Sequence, residues 1–288
     1  MDSVFVGRDG RLRVVLRIAL FVLALALAVA PLLLVQNSLL QFLFANVILV
    51  AMLVVWARYV DRRPFADYGL VPTARLLFGI AVGLVIGTVS VAIIFGASVA
   101  LGAAEVSSLT TAILDSAFLM FFIKMLLVAV WEETFFRGFL FTNIDGSLAK
   151  KTSARTAAIG ALLLSSLIFA AAHSGTDHMS VASFAILTLN GVILCIPFLL
   201  TGSLGLSIGF HAAWNFAQSK LFGFAMSGNA ADGSLITIEP QGPVFWTGGA
   251  YGPEAGLSGV TGFFAALALF LLVIRLFPLR VSGLGSGD

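Results

Sequence analysis

Apolar residues run through this chain in long blocks, not in alternation. Eight blocks fall at about 14–35, 39–60, 76–101, 116–143, 156–173, 181–200, 203–222 and 259–278. Each is close to the roughly 20 residues that a helix needs to cross a hydrocarbon layer about 30 Å thick. No heptad seam, internal repeat or soluble-domain pattern interrupts them. The pattern predicts an all-α polytopic transmembrane bundle, a single membrane domain over 1–288. Its centre is expected at about 116–222, where polar residues enter the apolar blocks. Residues 223–258 break the pattern, being rich in glycine and holding Pro240, Pro243 and Pro253. They predict an extracytoplasmic loop with a short strand at Leu235-Ile236-Thr237-Ile238.

The basic residues sort by block. Arg8, Arg11, Arg13 and Arg17 precede or open the first; Arg58, Arg62, Arg63 and Arg75 separate the second from the third. Lys150, Lys151 and Arg155 separate the fourth from the fifth, and Arg275 and Arg280 close the eighth. The alternate connections carry Glu105, Asp115, Asp177, Asp232, Glu239 and Glu254, with Lys220 as the nearby base. Lys and Arg stay on the cytoplasmic side of a membrane, so both termini are expected in the cytoplasm. Ala28-Val29-Ala30 has the look of a signal-peptide cleavage site, but the block continues through Val35 and Pro31 follows at once. An uncleaved first span is expected. Asp61-Arg62-Arg63-Pro64-Phe65-Ala66-Asp67-Tyr68-Gly69-Leu70 mixes charges and aromatics and predicts an interfacial anchor.

Composition then narrows the classes. With 60% hydrophobic and 10% charged residues, against about a quarter charged in an ordinary soluble domain, the chain is a multi-pass protein, expected in the cell membrane. The single cysteine, Cys195, excludes an internal disulfide and reads as a small buried hydrophobe. Phosphate-binding glycine loops and basic nucleic-acid patches are absent from the sequence, so the expected partners are the bilayer and a membrane-associated peptide.

Ionisable groups inside spans cost several kcal/mol (roughly 2.5–3.5 each) and are a functional signal by default. The fourth block holds Val130-Trp131-Glu132-Glu133-Thr134-Phe135-Phe136-Arg137. Glu133 and Arg137, four apart, share a helix face and can pair, whereas Glu132 points about 100° away and stays free for chemistry. The bland reading is that all three fix helix packing. Block five ends in Phe169-Ala170-Ala171-Ala172-His173, where a lone histidine can equally be an interfacial residue. Block seven carries His211 and Asn215 on one face, which can glue helices together or hold an oxyanion. A carboxylate, two imidazoles and an amide are the parts for activating water. His178, beside Asp177, reads as a solvated loop residue, and Lys124 is assigned no role. A zincin H-E-x-x-H and an intramembrane aspartate pair are both missing from the sequence.

Taken in order, Glu132-Glu133…Arg137, Phe169…His173 and His211…Asn215 resemble the motifs of the CPBP family of intramembrane proteases. That family includes type II CAAX prenyl endopeptidases, bacterial Abi proteins and bacteriocin-processing enzymes. The resemblance implies an endopeptidase acting on a membrane-associated substrate, by CAAX-type processing or peptide maturation. It implies Glu132 as general base assisted by His173, oxyanion support from His211 and Asn215, and supporting roles for Glu133, Arg137 and Phe169. Relatives are also described as metal-dependent; Glu132, His173 and His211 would then hold Zn, although the same residues serve without any cofactor. Two readings of other classes stand beside it: a non-enzymatic membrane immunity protein that binds a peptide or toxin, and a proton-coupled transporter. The transporter predicts an inverted repeat, which the sequence lacks. Counted from the cytoplasmic ends, Glu132 and His211 should lie roughly 12–17 Å deep and His173 nearer 25 Å. A cavity opening to the cytoplasm is expected.

Overall fold

A computed structural model describes residues 5–7, 10–110, 115–277 and 279, and within them each apolar block is helical; Arg8 and Arg280 lie outside the described residues. Helix α1 (Val14–Val29) ends where Pro31 withdraws a backbone donor, and the chain tightens into a 3-10 turn over Ala30–Leu34. Helix α2 (Ser38–Trp56) starts where the Asn37 side chain accepts from the Leu39 and Leu40 amides, and it ends in a wide π turn at Ala57–Asp61. Helix α3 (Ala74–Ala100) is capped by Thr73 and leads into strand β1 (Ala104–Leu109).

The fourth block is longer than its apolar residues suggest. Helix α4 (Ser116–Glu133), capped by Asp115, runs on through a π-helical stretch at Thr134–Phe141 into α5 (Thr142–Leu148). Helices α6 (Ala154–Ala172) and α7 (Val181–Thr201) follow, the first capped by Ser153 and the second by a reciprocal Ser180–Ser183 box. Gly202, at φ 70°, ends α7 in the left-handed region. Then come α8 (Gly205–Phe216) with a π turn at Ala217–Leu221, strand β2 (Ile236–Pro240), the short α9 (Val244–Thr247) and α10 (Leu257–Leu276).

Among the described residues, six helices are long and apolar enough to cross a membrane. They are α1 and α2 with their terminal turns, α3, α6, α7 and α10. The other two blocks are those with the candidate chemistry. Helix α4 and its continuation hold Lys124, Glu132, Glu133 and Arg137, and α8 is short. Alternation of direction leaves Lys150, Lys151 and the 62–73 connection at one end of the bundle, the basic end. It leaves Asp177, β1 and β2 at the other, the acidic end.

Glycines let α8 take a central place. A Cβ on Gly83 of α3 would collide with the Leu206 carbonyl, and one on Gly209 with that of Ile80. With Gly79, Gly87 and Gly205 they form a small-residue seam along which two backbones nearly touch, as apolar helices do in membranes. Helix α8 therefore starts inside the bundle: Leu204 is fully buried and its N–H donates to the Gly69 carbonyl at 3.0 Å.

The 61–70 connection is tied into the bundle at both ends, through buried Asp61 and Tyr68. Asp61 is fully buried and accepts from Arg17 at 2.6 Å, from the Tyr68 hydroxyl at 2.5 Å and from Asn143 at 2.9 Å. Burial first, then the adjacent Asp61 carboxylate, raise the Tyr68 pKa, so its hydroxyl remains a donor. Three donors from α1, the connection and α5 repay the desolvation of one carboxylate, which is why the charge can sit inside.

At the acidic end, β1 and β2 pair antiparallel, with Glu105 opposite Glu239 and Val106 opposite Ile238. The strand expected near 235–238 is thus joined by a partner, β1, that hydropathy did not reveal. Loop 223–258 is pinned by more than this pair. Glu254 is buried and accepts from both the Ser227 amide and hydroxyl at 2.8 Å, while the Gln218 amide donates to the Ala225 carbonyl at 2.7 Å.

Candidate active site

Three helices bring Glu132, His173 and His211 together. The Nε2 of His173 lies 3.8 Å, and that of His211 3.9 Å, from Oε2 of Glu132. Glu132 is the penultimate residue of α4, just before the π stretch, a helix irregularity that often accompanies functional residues. His173 caps the C-terminus of α6, and His211 sits mid-way along α8.

The depth mismatch expected from the sequence disappears for two reasons. Helix α4 continues to Leu148, which sets Glu132 about 24 Å from that end, against about 28 Å for His173 along α6. His211 reaches the same level because α8 begins inside the bundle and not at its surface.

Each imidazole is oriented by its other nitrogen. His173 Nδ1 is 2.8 Å from the Phe169 carbonyl oxygen, which can only accept, so Nδ1 carries the proton. His211 Nδ1 is 2.7 Å from Oε1 of Glu133, and the same Oε1 is 3.0 Å from the Arg137 guanidinium. Glu133 thus bridges the two, accepting from Arg137 and from His211 Nδ1. The Nε2 atoms of both rings then face Glu132, whose buried Oε2 has no hydrogen-bond partner among the described residues.

Phe169 ties these parts into one block. Its ring lies 4.7 Å from that of His173 and 4.3 Å from the Arg137 guanidinium, and it meets Phe136 edge-on at 5.2 Å. Arg137 also donates to the Gly191 carbonyl of α7 at 3.5 Å. Asn215 lies one turn beyond His211, half-buried, and makes none of the hydrogen bonds within this cluster. His178 is an exposed loop residue at φ 59°, and Cys195 is buried. Sequence spacing found the Glu133–Arg137 pair. It missed the Glu133–His211 bond, which joins positions 78 residues apart.

Two imidazole Nε2 atoms and one carboxylate oxygen converge on one point, a set that suits a shared proton, a water or, with both rings neutral, a cation. The donor types suit zinc, and both rings are anchored through Nδ1 as metal-binding histidines usually are. The spacing is loose for it: ligands around tetrahedral zinc stand about 3.3 Å apart, half an ångström closer than the 3.8 and 3.9 Å here. Among the described residues, no group of three His, Cys, Asp or Glu has metal-site geometry.

Residues 114–217, about a third of the chain, match the family model described as type II CAAX prenyl endopeptidase Rce1-like. The match holds all three motifs and supports the resemblance to the CPBP intramembrane proteases. No curated protein and no solved structure gives a significant match.

Proposed function

We propose that this chain, with its Rce1-like segment of the CAAX-endopeptidase type, hydrolyses a peptide bond of a membrane-associated peptide at the Glu132 cluster. The observation that carries the reading is the approach of two imidazole Nε2 atoms, from separate helices, to one carboxylate oxygen. A water between Glu132 and His173 can give a hydrogen bond to each. As its oxygen attacks the scissile carbonyl carbon, it passes one proton to Glu132, and the C=O π electrons become an oxyanion. His211, when Nε2 is protonated, and Asn215 are the donors for that oxyanion. Collapse breaks the C–N bond, and the proton on Glu132 goes to the leaving amine. Glu133 and Arg137 orient His211 and neutralise each other, and Phe169 orients His173. CAAX-type trimming of a C-terminal tail and maturation of a bacteriocin-like peptide are the substrate classes this fits.

The test is Glu132→Gln, which keeps size and removes the base. In proteoliposomes, peptide cleavage is expected to fall about 10²–10⁴-fold with the fold retained. Cleavage at the wild-type rate by the folded variant would refute Glu132 as base.

The anchoring of both rings through Nδ1 favours a second reading, in which Glu132, His173 and His211 hold a divalent ion such as zinc. A bound ion would lower the pKa of its water and polarise the carbonyl. Elemental analysis of purified wild type and His173→Ala separates the readings. Stoichiometric metal that is lost in the variant supports the ion; equal trace metal in both supports water alone.

A further inference from the structure

We infer that the Glu132 pocket opens to the extracytoplasmic face, so that of the substrate classes above it takes the extracytoplasmic segment of a membrane-bound peptide and not a cytoplasmic C-terminal tail. Naming a substrate rests on the peptidase reading above; the direction of access does not. The expectation of a cytoplasmic opening meets a closed floor. Immediately towards the basic end of Glu132 lie Glu133 and Arg137, both buried and paired with each other. Below them Phe139, Leu140, Phe141 and Phe198 are all buried in one core. Further down, Asp61, Arg17, Tyr68 and Asn143 close on themselves by hydrogen bonds. A cavity of about 10 Å³ between Arg75, Thr201 and Ser203 lies at the basic end, has room for one water at most and does not reach the cluster.

Towards the other end, among the described residues, solvent reaches the site. The side chains of Glu132 and His173 are 18% and 19% exposed, although Glu133 next door is sealed. Beyond His173, Ser174, Gly175 and Asp177 are exposed and Asn215 is half-buried. Helix α6 spans about 28 Å from Ala154 to this point, nearly the full hydrocarbon thickness. Loop 223–258 fixes one flank of the opening by packing on the connection from α6 to α7. The Thr176 hydroxyl donates to the Tyr251 hydroxyl at 3.3 Å, and Gly228 packs against the Asp177 backbone. Because Lys and Arg stay in the cytoplasm, the end carrying Lys150 and Lys151 faces inward and this opening faces outward.

Thiol labelling of the full chain tests the direction without needing catalysis. Wild type is the blank, because its one cysteine, Cys195, is buried. Gly175→Cys marks the rim, where an added side chain meets open space; Asn215→Cys marks the pocket, and Lys151→Cys the basic end. A membrane-impermeant methanethiosulfonate is applied to right-side-out spheroplasts and to inverted vesicles. Gly175→Cys and Asn215→Cys are expected to label in spheroplasts and to lose that labelling in inverted vesicles, with Lys151→Cys doing the reverse. Asn215→Cys labelling from the Lys151 side, or from neither side, would overturn the inference, and so would Gly175→Cys labelling in inverted vesicles only. A cytoplasmic tail would then be the substrate to seek. Loss or retention of cleavage in Glu132→Gln leaves these outcomes unchanged, so the two ideas fail separately.

Discussion

Asp61→Ala isolates what a buried carboxylate contributes to this bundle. The change leaves the Arg17 guanidinium, itself buried, without its 2.6 Å partner, and it strips the Tyr68 hydroxyl of its acceptor. Asn143 suffers less, because its side-chain amide also donates to the Phe139 carbonyl at 3.1 Å. Breaking one side of a buried ion pair costs about 3–5 kcal/mol, and the stranded hydroxyl adds about 1–3 kcal/mol. The sum, roughly 4–8 kcal/mol, rivals the whole stability of many domains. Replacing both partners, as in Arg17→Met with Asp61→Leu, removes the stranded charge and should recover much of that loss, since apolar substitutes for a buried pair are often neutral. The molecule carries its own reporter: Cys195 is fully buried, so a thiol-reactive fluorogenic dye reads unfolding in detergent as temperature rises. The order expected for the midpoint is wild type, then the double variant, then Asp61→Ala. A single variant within about 0.5 kcal/mol of wild type, the range of an ordinary surface substitution, would show that the network does not hold the basic end. A double variant no better than the single would refute the ion-pair reasoning.

Two further outcomes concern the site. Glu133→Gln removes the carboxylate that holds the His211 Nδ1 proton and pairs with Arg137. It is expected to lower kcat with little change in KM, and the pH profile of kcat should shift; a change confined to KM would contradict an orienting role. Gly209→Val forces α8 away from the Ile80 carbonyl, an overpacking worth about 1–3 kcal/mol. It should displace His211 and cut cleavage by more than its lowered melting point explains, whereas Gly96→Ala, at a position that faces open space, should change neither.

What the sequence determined by itself was everything local or repetitive. Hydropathy marked eight blocks, each of which holds a helix, though not the short α5 and α9, and the spacing of Glu133 and Arg137 predicted their pair, because a helix fixes which side chains share a face. It also supplied the polar residues that three helices bring together, since ionisable groups in apolar blocks stand out against their neighbours. Boundaries were less legible. The fourth helix was expected to end near 143, yet it runs to Leu148 because Asn143 and Ile144 are buried against the bundle and not released to an interface.

Only the tertiary structure decided matters of long-range partnership. Asp61, read as part of an interfacial anchor, is buried because its donors arrive from positions 44 and 82 residues away as well as from Tyr68 nearby. The depth of His211 depends on glycines of α3 opposite glycines of α8, a coincidence of surfaces that neither helix announces alone. The inferred direction of the opening likewise rests on what fills the space beneath Glu132. Solvation and packing are properties of neighbours in space, and a chain read in order gives only neighbours in sequence.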